Sequence, residues 1–486
     1  MASIHGVTQI HTAKDARIVV YLATRNLYDL LPAAYTSLLT HTRVDRVFLL
    51  VEDDRLPFRL PEKVSCVNVS GQTFFPKDGP NYGSRYTYMT LMKTAIPQIF
   101  PNTEKVLVLD VDTIVWEDIG GLWDYDLTGK YYAAVPEVFL SRKLGRTYCN
   151  AGVLMLNLGM FRETHRDEQL MIDLNTRKLD YTEQDALHEL CGDRFVELPA
   201  TYNMSSVTKP DGVAIPTEFA VQHFACMQEW WRERVVQEWL LNAYRQTYGY
   251  APRSVVYIGN RKVYGMMLSA AKSLMYRSPV DRVYFLIEDD KFPEPLPEMF
   301  RCVNVSGQQI FSTDGPNYHP HYSCMTTLRA ALGQLLPDEK RVLLLDPDTV
   351  VVDDISGIWN YDVTDYYFAA VQEIRNNNHT KVPYYNAGVM LLNLEKLRLD
   401  GMEEQLIHEI NTVHYEHLEQ DVMNYLCDRK ILDLPSCYNA SFVSEPCRYP
   451  RIMHFLSHAK RFFPEAAAPY AGMSWEKILN RKGDVV

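Results

Sequence analysis

Short runs of consecutive apolar residues recur along the chain, among them Ile18–Leu22, Arg46–Val51 and residues 106–109. Between the second and third runs, residues 86–99 carry their apolar positions at helical spacing. Uninterrupted runs of this length, rich in β-branched residues, predict strands covered on both faces. Their alternation with longer helical stretches predicts an α/β fold: a sheet with helices outside it. In such sheets ligands bind beyond the carboxyl ends of the strands.

The pattern is written twice. IVVYLATRNLY (18–28) answers to SVVYIGNRKVY (254–264), and VDRVFLLVEDDRLPFRLPE (44–62) to VDRVYFLIEDDKFPEPLPE (280–298). CVNVSGQTFFPKDGPNY (66–82) matches CVNVSGQQIFSTDGPNY (302–318), and YCNAGVLMLNL (148–158) matches YYNAGVMLLNL (384–394), all at one offset of 236 residues. A period this long is the duplication of a whole domain rather than a solenoid repeat. The boundary is expected near 240–253, after the Trp-rich WWRERVVQEWLL, giving domains 1–247 and 248–486. A chain of 486 residues has room for two such cores.

Composition narrows the partners. A formal net charge of −12 argues against nucleic acid, which needs a basic face, and fits a neutral or metal-bridged ligand. No window of about 18 residues is apolar and uncharged, so no transmembrane segment is expected. The opening MASIHGVTQIHTAKDARIVV has no long apolar core and no cleavage site. Nine scattered cysteines without CxxC spacing read as reduced thiols, and the expected setting is cytoplasmic. Cys427, Cys437, Cys447 and His454 are spaced too widely for a zinc set.

LDVDTIV (109–115) and LDPDTVV (345–351) each end an apolar run on two aspartates one position apart. In extended backbone residues i and i+2 point to the same side. Asp110 with Asp112, and Asp346 with Asp348, could therefore converge on one hard cation through oxygen ligands. An ordinary turn after a strand is the other reading of such a pair.

The surroundings of the pairs form an ordered series. LDVDTIVWEDIGGLW and LDPDTVVVDDISGIW are each followed by NAGV, then EQDALHEL or EQDVMNYL, then LPATYN or LPSCYN, then HF. This series resembles the glycogenin-like family of retaining glycosyltransferases, family 8, over nearly the whole chain and once per half. The resemblance implies two tandem GT-A domains, Rossmann-like mixed sheets with flanking helices. It implies a UDP-sugar donor, a carbohydrate or glycoprotein acceptor, and Mn²⁺ (or Mg²⁺) as cofactor. The metal ligands would be Asp110, Asp112 and His223 in one half and Asp346, Asp348 and His454 in the other. Donor contacts would come from Tyr21, Thr24 and Tyr257 on the first strands and from Lys93 and Arg329 on the helices before the aspartates. Glu137 and Glu373, Asn150 and Asn386, and Lys460 complete that set. Gln184, Asp185, Gln420 and Asp421 stand where the family's catalytic segment lies. Because an amide is a poor nucleophile, the expected route to retention is attack on the face the leaving group departs from, with the two aspartates positioning acceptor or sugar.

The halves differ at the flanks. The family's phosphate-reaching lysine is present as Lys460, six residues after His454, but its counterpart is Glu229, with Arg232 or Arg234 as candidate substitutes. The glycine of the same segment is missing from both halves, replaced by Cys226 and Ser457. Arg25 and Arg261 read equally as solvated surface cations or as phosphate contacts. The expectation is a hexosyltransferase, with glucose or galactose foremost, working at two sites and able to form a homodimer. The alternatives are activity in one half only (the C-terminal favoured), a glycogenin-like self-glucosylating primer, or a binding scaffold with decayed catalysis.

Overall fold

All five side chains of the run Ile18–Leu22 are buried in the computed structural model, which describes residues 3–84, 86–209, 218–227, 229–249, 251–317, 325–374 and 383–480. Val19 and Tyr21 enter one apolar core, whereas Ile18, Val20 and Leu22 enter a second core on the opposite face. A strand lined on both faces must be central in its sheet, and this one is.

The chain divides into two compact units, Met1–Ala243 and Tyr244–Val486. In the first, a small ribbon of β1 (Ser3–Ile4) and β2 (Val7–Thr8) precedes β3 (Ile18–Leu22), β4 (Arg46–Val51), β5 (Val64–Asn68) and β6 (Lys105–Leu109). The strands β7 (Thr113–Val115), β8 (Tyr132–Ala134), β9 (Val153–Asn157), β10 (Phe195–Glu197) and β11 (Val221–His223) follow. Seven of them form one sheet in the order β10-β8-β9-β6-β3-β4-β5. β9 runs antiparallel to both neighbours, β6 and β8, and the other pairs are parallel. β7 and β11 leave the main sheet and pair antiparallel with each other.

The second unit repeats the plan with β12 (Ser254–Ile258), β13 (Arg282–Ile287), β14 (Phe300–Asn304), β15 (Arg341–Leu345), β16 (Thr349–Val351), β17 (Phe368–Gln372), β18 (Tyr385–Asn393), β19 (Ile431–Asp433) and β20 (Ile452–His454). Its sheet order is β14-β13-β12-β15-β18-β17-β19, β18 is the antiparallel strand, and β16 pairs with β20. The architecture is thus α/β with two tandem mixed sheets flanked by helices. Among the described residues no helix is long and apolar enough to cross a membrane.

Helix Leu31–His41 shows how the outer layer forms. Proline stands in its first turn, where no intrahelical N–H bond is lost, and every residue from Leu31 to Leu38 is buried. Each Leu side chain so covered contributes about 1.5–3 kcal/mol.

Candidate functional site

Each aspartate pair stands where the central strand β6 or β15 runs out and the chain turns. The two aspartates do not converge through extended backbone, as the alternation rule suggests. The chain bends at once, and the Thr113 hydroxyl donates to the Asp110 carbonyl at 2.7 Å, as Thr349 does to Asp346 at 2.7 Å. Asp110 N–H is tied to the Gly152 carbonyl at 2.9 Å, and Asp346 N–H to that of Gly388 at 2.8 Å. The turn, rather than the pleat, brings the carboxylates together.

The ribbon register delivers the third group. Thr113 pairs with His223 and Thr349 with His454, and Phe224 and Phe455 N–H groups donate to the carbonyls of Asp112 (2.9 Å) and Asp348 (3.0 Å). His223 Nε2 lies 3.3 Å from Asp112 Oδ1 and 4.0 Å from Asp110 Oδ2. His454 Nε2 lies 3.3 Å from Asp348 Oδ1 and 3.6 Å from Asp346 Oδ2. In each cluster all three ligand atoms fall within 4.8 Å of one another.

Two asparagines set the imidazole tautomers. His223 Nδ1 is 2.8 Å from Asn203 Oδ1, and Asn203 Nδ2 donates to Asn150 Oδ1 at 2.9 Å, which orients the amide. The second unit repeats this with His454, Asn439 and Asn386 at 2.9 Å for both bonds. With the oxygen facing Nδ1, the neutral imidazole carries its proton there and leaves the Nε2 lone pair for a cation, whereas the protonated ring sets an Nε2–H against the carboxylates. Such an outer partner is the usual orienting device of a metal-bound histidine. His454 Nε2 is buried and has no hydrogen-bond partner among the described residues. An orphaned basic nitrogen beside two carboxylates is a donor set that fits a divalent cation. The glycine of each NAG segment makes room for the ring, since a Cβ on Gly152 or Gly388 would lie 2.0 Å from the His223 or His454 Cε1 atom.

A buried cation underlies each cluster. Lys93, only 3% exposed, contacts Asp110 Oδ1 at 2.7 Å, Glu183 Oε1 at 3.3 Å and the Ala151 carbonyl at 3.0 Å. Arg329 does the same for Asp346 (3.0 Å), Glu419 (3.1 Å) and the Ala387 carbonyl (2.7 Å). Both cations are committed to the protein and reach the site through the first aspartate. Glu183 and Glu419, which the sequence showed only as polar residues of EQD, are the buried counter-charges. Burial and the neighbouring Asp112 push the Asp110 carboxyl up despite Lys93. Asp112 is held low by His223 against the effect of burial, and His223 is correspondingly raised. Burial works against Asp348 as well, yet His454 and Lys460 hold it at about 2.

The remaining candidates form a fixed hydrogen-bonded wall. Gln184 Oε1 accepts from Ala151 N–H at 2.7 Å, and its Nε2 donates to Glu137 Oε2 at 3.2 Å, which also takes Asn150 Nδ2 at 3.3 Å. Gln420 links Ala387 N–H (2.9 Å) to Glu373 Oε1 (3.2 Å), with Asn386 Nδ2 on the same carboxylate at 2.8 Å. Burial raises the Glu137 carboxyl. Asp185 accepts from the Tyr148 hydroxyl at 2.6 Å and from Tyr181 N–H at 2.8 Å. Asp421 takes the Tyr384 hydroxyl and, at 2.8 Å, His417 N–H. Both aspartates thereby stitch the start of the EQD helix to the wall.

Two expectations are corrected. Tyr21 and Tyr257 are wholly buried in the cores, because both faces of their strands are covered, so neither ring can meet a ligand. Thr24, just past β3, is half-buried and spends its hydroxyl on Asn26. Of the two readings of Arg25 and Arg261 the surface one matches: Arg25 forks onto both oxygens of Asp53 at 2.8 Å, and Arg261 pairs with Asp289.

The halves part where the sequences do. Lys460 Nζ lies 3.1 Å from Asp348 Oδ2, whereas Glu229 is paired with Arg232, and Arg234 with Glu238 at 2.8 Å. Cys226 and Ser457 adopt the left-handed conformation a glycine would take, with φ of 64° and 47°.

A family model described as glycosyl transferase family 8 matches residues 11–233 and 282–460. The glycosyltransferase GlyA of Streptococcus pneumoniae serotype 4 is 26% identical over 269 residues, covering 50% of this chain and 37% of that protein. General stress protein A of Bacillus subtilis is 30% identical over 112 residues, 21% of this chain and 38% of its own length. The match thus spans less than half the length of either relative. The crystal structure of GlyE from Streptococcus pneumoniae TIGR4 aligns at 25% identity over 48% of this chain and 63% of that one, with a TM-score of 0.36.

Proposed function

The chain belongs to glycosyl transferase family 8, and from that premise we propose that each unit is a metal-dependent site transferring a hexose from a UDP-sugar. The acceptor is a carbohydrate or glycoprotein, the anomeric configuration is retained, and the enzyme works in the cytoplasm. The observation that carries this reading is the twice-built cluster of two aspartates and a histidine whose Nε2 is kept bare by an asparagine. Asp110, Asp112 and His223, and Asp346, Asp348 and His454, would hold Mn²⁺ or Mg²⁺. When bound, that ion would offset the negative charge that a departing diphosphate develops.

The chain's own groups divide the rest of the work. Lys93 and Arg329 balance part of the carboxylate charge and fix the first aspartate of each pair. Lys460, 57% exposed, is free to turn from Asp348 to a phosphate, since an exposed ion pair of this kind is worth only about 0–1 kcal/mol. Glu137 with Asn150, and Glu373 with Asn386, offer fixed acceptors and donors to sugar hydroxyls beside the cluster. Gln184 and Gln420 have their amide oxygens bound to backbone N–H groups, which suits orienting a sugar better than attacking it. Attack on the departing face, with Asp185 and Asp421 shaping the acceptor side through Tyr148 and Tyr384, follows from that.

A second reading, catalysis in the C-terminal unit alone, is favoured by one observation: a carboxylate, Glu229, replaces Lys460. A screen of UDP-sugars with wild type, Asp112→Asn and Asp348→Asn separates the two. Two active sites give metal-dependent UDP release from which each variant removes a different share. Silence of Asp112→Asn alone would leave one active unit, and no metal-dependent release from any UDP-sugar would overturn the proposal.

A further inference from the structure

The second unit holds a pair of thiols that the transfer reaction does not use. Cys437 lies in the turn Ser436–Asn439, two residues before the asparagine that orients His454. Its carbonyl accepts from Arg451 N–H at 2.8 Å, which lays the returning segment, and Cys447 with it, along that turn. The two sulfur groups are in hydrogen-bond contact, and both are partly exposed. Among the described residues no disulfide is present.

The surroundings of Cys447 are those of a stabilised thiolate. Its sulfur has the Cys437 thiol, the Tyr449 backbone N–H and the Ser436 hydroxyl as hydrogen-bond partners, and the positive charge of buried Arg451 acts on it. The Cys437 contact is the strongest influence, and together these outweigh partial burial and bring the thiol down to about 6. By contrast, Cys149, Cys191 and Cys427 are buried and pushed up to about 12 by desolvation. The first unit has Thr201 where the second has Cys437, so the pair belongs to one half only.

We infer that Cys447 is a reactive thiol and Cys437 its resolving partner, forming a reversible disulfide with a hydroperoxide as oxidant. The Cys447 sulfur attacks one peroxide oxygen: an S–O bond forms, the O–O bond breaks, and the departing oxygen takes a proton to leave as water or alcohol. The Cys437 sulfur then attacks the sulfenic acid. The S–S bond forms, the S–O bond breaks, and hydroxide leaves with the Cys437 proton as water. Two thiols lose two electrons and the peroxide gains them. The new bond clamps the turn that carries Asn439, so oxidation acts on the C-terminal cluster and leaves the N-terminal one alone. That consequence rests on the metal-site reading above; the thiol chemistry does not.

Two measurements on the full chain test it. Iodoacetamide labelling of Cys447 should be half-maximal near pH 6, against about 8.5 for an ordinary thiol. At that pH the larger thiolate fraction outweighs the weaker intrinsic nucleophilicity, and Cys447 should react about tenfold faster than a model thiol. Stoichiometric hydrogen peroxide should lower the mass by about 2 Da and yield a Cys437–Cys447 cross-linked peptide that dithiothreitol reverses. Cys437→Ser should stop at a dimedone-trappable sulfenic acid, a gain of about 16 Da. A labelling midpoint near that of an ordinary thiol, or first oxidation at exposed Cys226 with no 437–447 link, would overturn the inference. If the cross-link forms but Mn²⁺ affinity at the C-terminal site is unchanged, the clamping consequence fails while the thiol pair stands.

Discussion

Replacing Asn439 with Ala removes the oxygen that keeps the proton on His454 Nδ1, and the imidazole then samples the tautomer with Nε2 protonated. Loss of such an outer partner typically costs 10–100-fold in metal affinity. Asn439→Ala should therefore weaken Mn²⁺ binding by about that factor at the C-terminal site, and Asn203→Ala at the N-terminal one, as read by calorimetric titration. His223 adds a pH dependence. Asp112 raises it above the unfolded value of about 6.5. In metal-free protein this pair adds stability that is fully present below about pH 6.5 and is lost as pH rises through the folded value. Metal needs Nε2 bare, so Mn²⁺ affinity at the N-terminal site should fall as pH drops through that raised value. Titrations in steps from about pH 8 to 6 check the sign. The residues that form the two clusters were legible in the sequence, because aspartate pairs and histidines recur in ordered motifs. Asn203 and Asn439 were not singled out, although they close LPATYN and LPSCYN. Nothing in a linear sequence tells which of many amides will face an imidazole 15 or 20 residues away.

At the scale of elements, the ribbons β7–β11 and β16–β20 do the decisive positioning, since their register sets each histidine against its aspartates. The loops that follow carry strain. Ser457 at φ 47° and Cys226 at φ 64° sit where an L-residue costs about 1–2 kcal/mol more than glycine. Part of that is returned as unfolded-chain entropy, so Ser457→Gly should stabilise by about 0.5–1 kcal/mol in urea denaturation. The alternating runs sufficed to foresee an α/β fold, and the family resemblance its mixed sheets, but neither told what each strand position does. Tyr21 and Tyr257 looked like donor contacts by their place in the motif. They are core residues because helices cover both faces of β3 and β12. The aspartate turn was read only as the alternative to a convergent pair, since i and i+2 convergence reads the same whether pleat or turn produces it.

At the scale of the whole molecule, duplication kept the entire apparatus of cation, counter-charge, asparagine and glycine, and changed what borders it. In the first unit the carboxylates of Asp110, Asp112 and Glu183 face one buried cation, Lys93; in the second, Lys460 stands with Arg329 against the matching three. The more negative first cluster should hold its divalent ion more tightly, whereas the second should hold a diphosphate better. Lys460→Ala should accordingly raise the donor KM at the C-terminal site about tenfold, the usual scale for one charge-assisted hydrogen bond, and leave Asp348→Asn protein unaffected. The measurement that tests the central claim most directly is a count of Mn²⁺ ions bound per chain, by electron paramagnetic resonance titration, in wild type, Asp112→Asn, Asp348→Asn and the double variant. Two ions in wild type, one in each single variant and none in the double variant are the expected results. One ion or none in wild type, or a single variant that still holds two, would contradict it.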